Sequence, residues 1–333
     1  MQFGLMDHAE TRPSVPLGQI FRERIEYVQA AEDAGIWGYH TTEHHLSALD
    51  STPSPALLLS AMAPMTERIK LCSLVHILPG YHPVRLAEEV IMLDHLTNGR
   101  FQMGVGKGVS PPEHRLLDLD TATIAEVFDD HLQRMTAVLE GEPVDGAANP
   151  FECVQDPYPP LWYAGNAARA AELNMNAMVG GPPQAVAAAV AEHRRICAER
   201  TEPPRYNPTI TRTTIGASRH VVIRPDSQVA KARAVKAWEL YTPHINHHFW
   251  RTGESASKDP SFGGDSAAAM AASALVAGSP QEVTESYIEM AKVGGPDYLL
   301  GAFFWGDIDQ AEAMQSFELF VTEVIPAVEA ALG

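Results

Sequence analysis

The chain has 333 residues, 45% of them hydrophobic, and its 42 acidic against 24 basic residues give a formal net charge of −18. That charge opposes nonspecific attraction to nucleic acids and to anionic membranes, and three scattered cysteines indicate neither a disulfide framework nor a cysteine-based zinc site. Because the N-terminus lacks a leader pattern and no apolar run approaches about 18 residues, we expect a soluble cytoplasmic protein without nucleic-acid or membrane partners.

Strands and helices alternate regularly through the first third of the chain. The predicted strands cover residues 2–6, 37–42, 69–76 and 101–105, and the predicted helices cover residues 20–34, 55–65 and 84–96. The helices carry apolar residues three and four positions apart, and the first and third end at Gly35 and at Asn98-Gly99. Such alternation predicts a parallel sheet covered by helices.

The rest of the chain continues this alternation with more irregular spacing. A long amphipathic helix at 124–139 and a proline-rich segment at 142–160 come first. We then predict strands at 161–164, 176–179, 209–217 with a hairpin extension at 220–224, and 298–304, and helices at 167–173, 184–200 and 227–241. The length fits one α/β barrel with insertions, and composition alone allows two ordinary domains equally well.

A segment rich in small and polar residues, 251–273, lies before the last predicted strand and is too long for an ordinary barrel connection. It is either a mobile lid or an inert disordered insertion. We favour a lid, because loops on the catalytic side of barrels commonly close over substrate and exclude water. Just ahead of it, His244 stands near two further histidines and Phe249-Trp250. These residues could hinge the lid or line its mouth, but we favour a packed aromatic cluster.

Glu43-His44-His45 and the runs 82–89 and 93–101 stand out among these elements. In them the chain resembles the bacterial luciferase-like flavin monooxygenases. The likeness is weaker across residues 106–195 and returns at 277–283 and at Trp305-Gly306-Asp307. The resemblance implies one (β/α)8 TIM barrel domain over residues 1–333, with an insertion before strand eight that forms a mobile active-site loop.

The histidine pair after the second strand is the first candidate for chemistry. Successive strand residues point to opposite faces, so His44 and His45 share one pocket only if the backbone turns in the loop that follows. An imidazole with an ordinary pKa of about 6.5 suits a general base. The resemblance places the catalytic histidine at His44, beside a flavin ring, with Glu43 and His45 orienting cofactor or substrate. The alternative is that all three are ordinary polar groups at a strand end.

A metal-hydrolase barrel is the competing interpretation, because several histidines lie near predicted strand ends and imidazole is a common metal ligand. These histidines are His8, His40, His44, His45, His76 and His82. However, strand one has no His-x-His pair, and residues 302–305 at the end of the last predicted strand are apolar. We therefore predict no metal site.

A glycine-rich turn, 104–108, ends the fourth predicted strand. Its small residues let backbone N–H groups face an anion, and Lys107 adds a positive charge. It is not a dinucleotide fingerprint, because the third glycine is missing and Ser-Pro-Pro follows. These residues alone favour a turn with a solvated lysine, whereas the resemblance places Gly106 against the isoalloxazine ring and Lys107 at the flavin phosphate.

Two further segments are assigned to the cofactor. The resemblance implies a non-prolyl cis peptide under the flavin at Leu74-Val75 and flavin contacts at Ala164, Gly165 and Asn166. Strand five ends there and a helix begins, so the first helical turn offers free backbone donors for a phosphate. Arg169 could add a charge-assisted hydrogen bond.

Together with these features, the resemblance implies an FMN-dependent monooxygenase. It would use reduced FMN (FMNH2) and O2, through a flavin peroxide, to oxygenate a small hydrophobic substrate such as an aldehyde, a terpenoid or an aromatic compound. Apolar residues at 74–75 and 303–305 hint at that substrate class. A separate NAD(P)H:flavin reductase would supply the flavin, and we expect a homo-oligomer, a dimer. The alternatives are a deazaflavin-dependent oxidoreductase and a non-catalytic flavin-binding relative.

Overall fold

The computed structural model describes residues 1–250 and 265–333, except for the side chains of residues 247–250. Nine strands form one parallel sheet. They are β1 Gln2–Asp7, β2 Gly38–Thr41, β3 Lys70–Ile77, β4 Phe101–Gly106, β5 Leu161–Ala164, β6 Asn176–Val179, β7 Ile215–Ile223, β8 Leu275–Gly278 and β9 Tyr298–Ala302.

Eight of these strands close into a barrel. Neighbours pair in sequence from β1 to β7, β7 then pairs with β9, and β9 pairs with β1 through Gln2 opposite Tyr298. The predicted (β/α)8 barrel is therefore confirmed. β8 is a ninth strand outside the ring, because it pairs only with the second half of β7, from His220 to Ile223.

The predicted seventh strand is wrong in detail. A hairpin was expected across 209–224, but one continuous strand, β7, runs from Ile215 to Ile223 and pairs with β9 first and β8 afterwards. The last barrel strand is β9 in chain order. The insertion before it contains β8 and its neighbouring helices. Residues 251–264 of the predicted lid lie outside the described residues.

Helices surround the barrel, and most begin within three residues of the predicted position. Proline stands at the start of five of them, where its missing N–H costs nothing. They are α1 Leu17–Asp33, α2 Pro55–Met62, α3 Pro83–Leu96, α4 Pro111–Leu116, α5 Ile124–Leu139, α6 Ala167–Glu172, α7 Pro183–Glu199, α8 Ser227–Trp250, α9 Ser266–Ala271, α10 Pro280–Glu289, α11 Gln310–Leu319 and α12 Ile325–Leu332.

Two helices depart from the sequence analysis in ways that affect the site. α4 was not predicted, although it follows directly on the glycine-rich turn after β4. α8 was predicted to end at Tyr241, but it continues through Pro243 to Trp250. No helix in the described part of the chain is both long and apolar enough to cross a membrane.

The barrel interior is filled by its own apolar cluster, separate from the larger core between sheet and helices. Its buried members are Leu74, Trp162, Met178, Tyr298 and Leu300, with Met6, Trp37 and Val75 packed against them. Because this cluster fills the barrel, a ligand can bind only at an end of the barrel and not inside it. In parallel barrels the chemistry lies at the carboxyl ends of the strands.

Candidate active site

Four predicted groups meet at the carboxyl ends of neighbouring strands. The histidine pair follows β2, the Leu74-Val75 peptide lies near the end of β3, and Gly106 and Lys107 end β4. Since β2, β3 and β4 are paired side by side, these groups border one part of the barrel mouth.

His44 is held by a buried carboxylate that the sequence analysis did not identify. Its Nδ1 lies 3.3 Å from Oε1 and 3.4 Å from Oε2 of Glu113, a side chain of α4 that is only 1% exposed. The same Oε1 accepts a hydrogen bond from the backbone N–H of His45 at 2.7 Å. An imidazole that donates Nδ1–H to a carboxylate is fixed in ring orientation and tautomer, which leaves Nε2 as its basic nitrogen.

Opposing effects act on the pKa of His44. Burial lowers it, but the hydrogen bond and charge of Glu113, with the charges of Asp50 and Glu43, outweigh burial and raise the pKa above its ordinary value. A proton is therefore held more firmly on His44 than on a solvated histidine. The arrangement suits a group that accepts a proton and releases it later in a reaction.

His45 is paired with a different carboxylate. Its Nε2 lies 3.0 Å from Oε1 of Glu43, whose Oε2 accepts a hydrogen bond of 2.7 Å from the Tyr81 hydroxyl. The Glu43 hydrogen bond raises the pKa of His45 more than its partial burial lowers it. The two adjacent imidazoles therefore bind two separate glutamates.

Two more titratable groups lie beside His44. The ring of His8, after β1, stacks on the His44 ring with centroids 6.1 Å apart. Asp50 is 3% exposed and accepts hydrogen bonds from the Thr42 hydroxyl and from the backbone N–H of Thr52. Burial raises the pKa of Asp50 to about 7, so its carboxyl changes charge near neutral pH.

The signal that could have found Glu113 is present in the sequence. Ser110-Pro-Pro-Glu113 has the spacing of a helix capping box, and the Ser110 hydroxyl does accept the N–H of Glu113 at 3.3 Å. That pattern would have predicted α4. It would not have predicted the partner, because the Glu113 carboxylate binds His44 and His45 across the barrel mouth.

The predicted cofactor residues of β3 and β4 lie in contact. The Leu74-Val75 peptide is cis, and a Cβ on Gly106 would lie 2.7 Å from Cγ2 of Val75. A Cβ on Gly104 would lie 2.4 Å from the Ser73 carbonyl oxygen. Only glycine lets the two strands approach this closely at the barrel mouth.

Lys107 stands exposed immediately after Gly106. Among the described residues it has no ion-pair partner, so its ammonium group is available to an anion. The next residue, Gly108, has a left-handed φ of +76°, and a Cβ there would lie 2.9 Å from Nε2 of the buried His114. Glycine is therefore required for the turn that presents Lys107.

Some of the groups predicted to contact the flavin after β5 already have other hydrogen-bond partners. Ala164, Gly165 and Asn166 are exposed at the strand end, but the N–H of Gly165 donates to the Met178 carbonyl at 2.8 Å. The Asn166 side chain caps α6 by accepting the N–H of Arg169 at 3.0 Å. A flavin role for these residues stays a prediction.

The Arg169 guanidinium is also engaged. It donates to Asp129 of α5 and, at 3.1 Å, to Glu172 of its own helix. A phosphate would compete with both carboxylates. The structure thus leaves Lys107 as the more accessible cation of the two.

Comparison with known proteins agrees with this geometry. Residues 1–296 match the sequence model of one family, described as luciferase-like monooxygenase. The chain belongs to the luciferase-like monooxygenases. The predictions of this family, of its barrel and of a monooxygenase activity are confirmed.

Sequence identity to individual relatives is low. The chain is 28% identical to the uncharacterized protein y4wF of Sinorhizobium fredii over 92% of both chains. It is 26% identical to the oxygenase component of flavin-dependent trigonelline monooxygenase of Acinetobacter baylyi, over 49% of this chain and 49% of that protein. It thus spans about half the length of this named relative.

Among solved structures, the oxygenating constituent of 3,6-diketocamphane monooxygenase of Pseudomonas putida, described as a type II Baeyer-Villiger monooxygenase in complex with FMN, shares the fold. It superimposes with a TM-score of 0.79 at 23% identity over 98% of both chains. At that identity the likeness establishes the fold alone.

Proposed function

We propose that this chain is the oxygenase component of a two-component monooxygenase that binds reduced FMN and uses O2 to oxygenate a small hydrophobic substrate. The observation that carries the proposal is His44, held by the buried Glu113 at the end of the barrel where Leu74-Val75 and Gly106 meet. Membership of the luciferase-like family supports it.

The residues at the mouth fit a flavin. Because Gly106 has no Cβ, the Val75 side chain packs directly against it, and the ends of β3 and β4 form one continuous surface for a flat ring. Lys107, exposed and next to Gly106, supplies a positive charge for a phosphate. Reduced flavin, when bound, supplies the chemistry that activates O2.

The protein itself would manage protons and exclude water. Glu113 holds Nδ1 of His44, so Nε2 of that ring would exchange a proton with the reacting centre. Glu43 holds Nε2 of His45 and is itself held by the Tyr81 hydroxyl, which donates a hydrogen bond to it. The apolar cluster beneath the mouth, which includes Leu74, keeps water out from below.

A hydrophobic substrate is supported by Leu74 and Val75 but not by the residues after β9. Phe303 packs on Phe317 of α11, and Phe304 lies under Arg24 of α1, so both face the helix layer. Trp305 packs on Trp238 of α8. The sequence-based hint from residues 303–305 was wrong, because buried strand ends are apolar whichever side they face.

A separate NAD(P)H:flavin reductase is part of the proposal, supported by the relative named as an oxygenase component. The expected dimer stays a prediction, which sedimentation velocity of the purified protein would test.

The deciding experiment is an anaerobic titration of the protein with reduced FMN, reduced riboflavin and a reduced 5-deazaflavin, followed by tryptophan fluorescence. We expect reduced FMN to bind most tightly. The complex would then be mixed with ¹⁸O2 and a panel of aldehydes, terpenoid ketones and phenols, and products analysed by mass spectrometry.

Incorporation of one ¹⁸O atom into a panel compound would support the proposal. Preferred binding of the deazaflavin, with hydride transfer to a substrate, would replace it with the deazaflavin alternative. Tight FMN binding without ¹⁸O in any product would instead indicate a non-catalytic flavin-binding protein.

A further inference from the structure

A third glutamate–histidine pair lies at the barrel mouth, formed by the loop after β1 and by α8. Glu10 is 1% exposed, and its carboxylate binds Nδ1 of His244 through one oxygen and the backbone N–H of Gly306 through the other. Gly306 lies in the loop after β9. The Glu10 side chain therefore joins the ends of two barrel strands to α8.

The pair leaves the second nitrogen of His244 accessible. The His244 side chain is 18% exposed, and within residues 1–246 and 265–333 its Nε2 has no hydrogen-bond partner. His193 shows the contrast, because it is fully buried and both ring nitrogens are engaged, one with the Met175 carbonyl and one with Cys197. His193 stabilises packing, whereas the His244 side chain is partly exposed and is held through Nδ1 alone by the described residues.

His244 borders the same mouth as His44. Glu10 is two residues from His8, whose ring stacks on His44. In addition α8, which carries His244, contacts α4, which carries Glu113. The sequence analysis placed His244 in an aromatic cluster with residues 247–250, whose side chains lie outside the described residues. The structure instead pairs it with a carboxylate 234 residues away.

A carboxylate-held imidazole binds oxygen atoms. With Nδ1–H donated to Glu10, a neutral His244 accepts a hydrogen bond at Nε2 from a hydroxyl group, and a protonated His244 donates one to a carbonyl. A pure hydrocarbon has no group that can form either of these hydrogen bonds. The pair thus selects for substrates that already carry an oxygen function.

We propose that His244, oriented by Glu10, binds the carbonyl or hydroxyl oxygen of the organic substrate. Glu10 is the positioning residue in this arrangement. The inference rests on the proposed function and narrows its substrate class to oxygenated compounds such as ketones, aldehydes and alcohols.

The test uses anaerobic ¹⁵N-histidine NMR on the full chain saturated with reduced FMN, with the His244 signals assigned from their loss in His244→Asn. The probes are 2-butanone, camphor, borneol and 2-undecanone, with camphene as the hydrocarbon control. We expect at least one oxygenated probe to shift the His244 Nε2 signal, and camphene to leave it unchanged. No shift with any oxygenated probe, or an equal shift with camphene, would overturn the proposal.

Variants separate binding from folding. His244→Asn and His244→Gln should each raise the Kd of the responsive probe about tenfold, the loss of one hydrogen bond, while leaving the Kd of reduced FMN unchanged. His95→Gln, on α3 at the opposite end of the barrel, is the matched control. Equal probe affinity in both His244 variants and wild type would refute the assignment.

Glu10→Gln tests the positioning role separately. It keeps an oxygen for the Gly306 N–H but removes the charged acceptor of the His244 Nδ1–H, so the ¹⁵N signal of Nδ1 should shift, and Glu10→Asp should restore it in part. An unchanged Nδ1 signal in Glu10→Gln would contradict the role. If wild type fails to bind reduced FMN at all, the proposed function fails. If it binds FMN but no probe reaches His244, only this inference fails.

Discussion

His44 and Glu113 are 69 residues apart in the chain, yet Nδ1 of the histidine lies 3.3 Å from Oε1 of the glutamate. Glu113 is fixed a second time by the backbone N–H of His45. The loop after β2 and the helix after β4 are therefore locked together by one carboxylate, which orients the imidazole we assign to the reaction.

Glu113→Gln should lower the pKa of His44. The substitution keeps the size of the side chain and an acceptor for the His45 N–H, but it removes the charge that stabilises the imidazolium. The measurement is a ¹⁵N NMR titration of His44. Glu126→Gln, on the exposed first turn of α5, should leave that pKa unchanged. A His44 pKa that stays the same in Glu113→Gln would refute the orienting role.

His44→Ala should retain binding of reduced FMN but reduce the yield of oxygenated product by about 10²-fold to 10⁴-fold, the usual contribution of a positioned acid or base. Flavin affinity is measured anaerobically and product by mass spectrometry. His95→Gln should keep wild-type yield. Normal product from His44→Ala would remove the histidine from the mechanism.

Lys107→Ala should weaken FMN binding roughly tenfold, because one charge-assisted hydrogen bond to the phosphate is lost. Riboflavin has no phosphate, so its affinity should not change, and the ratio of the two dissociation constants isolates the phosphate contact. Lys292→Ala, exposed at the other end of the barrel before β9, serves as control. An equal loss for FMN and riboflavin would argue against a phosphate role for Lys107.

Asp50→Asn should make the protein more stable at pH 8 but not at pH 4. The pKa of Asp50 is about 7 in the folded protein, above its value of about 4 in the unfolded chain. Between about pH 4 and about pH 7 the carboxyl is ionised in the unfolded chain but mostly protonated in the folded protein. The wild-type protein therefore loses stability as the pH rises through this range. The amide cannot ionise and can still bind Thr42 and Thr52.

Urea unfolding at several pH values measures this effect. The difference between Asp50→Asn and wild type should grow from about pH 4 to about pH 7 and then level off at a few kcal/mol, since each pKa unit corresponds to about 1.4 kcal/mol. A difference that is constant across this range would show that Asp50 ionises normally in the folded protein.

Gly104→Ala should lower the free energy of unfolding by about 1–3 kcal/mol, because the new methyl group would overlap the Ser73 carbonyl on β3. Gly18→Ala is the matched control, since its nearest neighbour is a flexible Arg22 side chain at 3.5 Å and it lies in the first turn of α1. Denaturant unfolding should find the control neutral or stabilised. Equal stability of both variants would mean that β3 and β4 can move apart to accommodate the methyl group without loss of stability.

Local patterns in the sequence were sufficient to predict most strands and helices, and the family resemblance supplied the barrel and part of its mouth. Apolar runs that stop at glycine or proline are local signals, so strands such as 161–164 and 176–179 and the helix 124–139 were predicted with the bounds observed. The different glutamate partners of His44 and His45 were not predicted, because both residues lie in the loop after β2, which ends at Thr41.

Contacts between groups that are distant in the chain became visible only in the folded protein. Glu113 binds His44, Glu10 binds His244, and Arg169 is turned to Asp129, and each contact joins elements far apart in the chain. The short strand β8 was missed because its four residues are defined only by pairing with β7. Periodicity determines the face of a helix or strand on which a residue lies. Barrel closure and strand register determine which residues of other elements that face contacts.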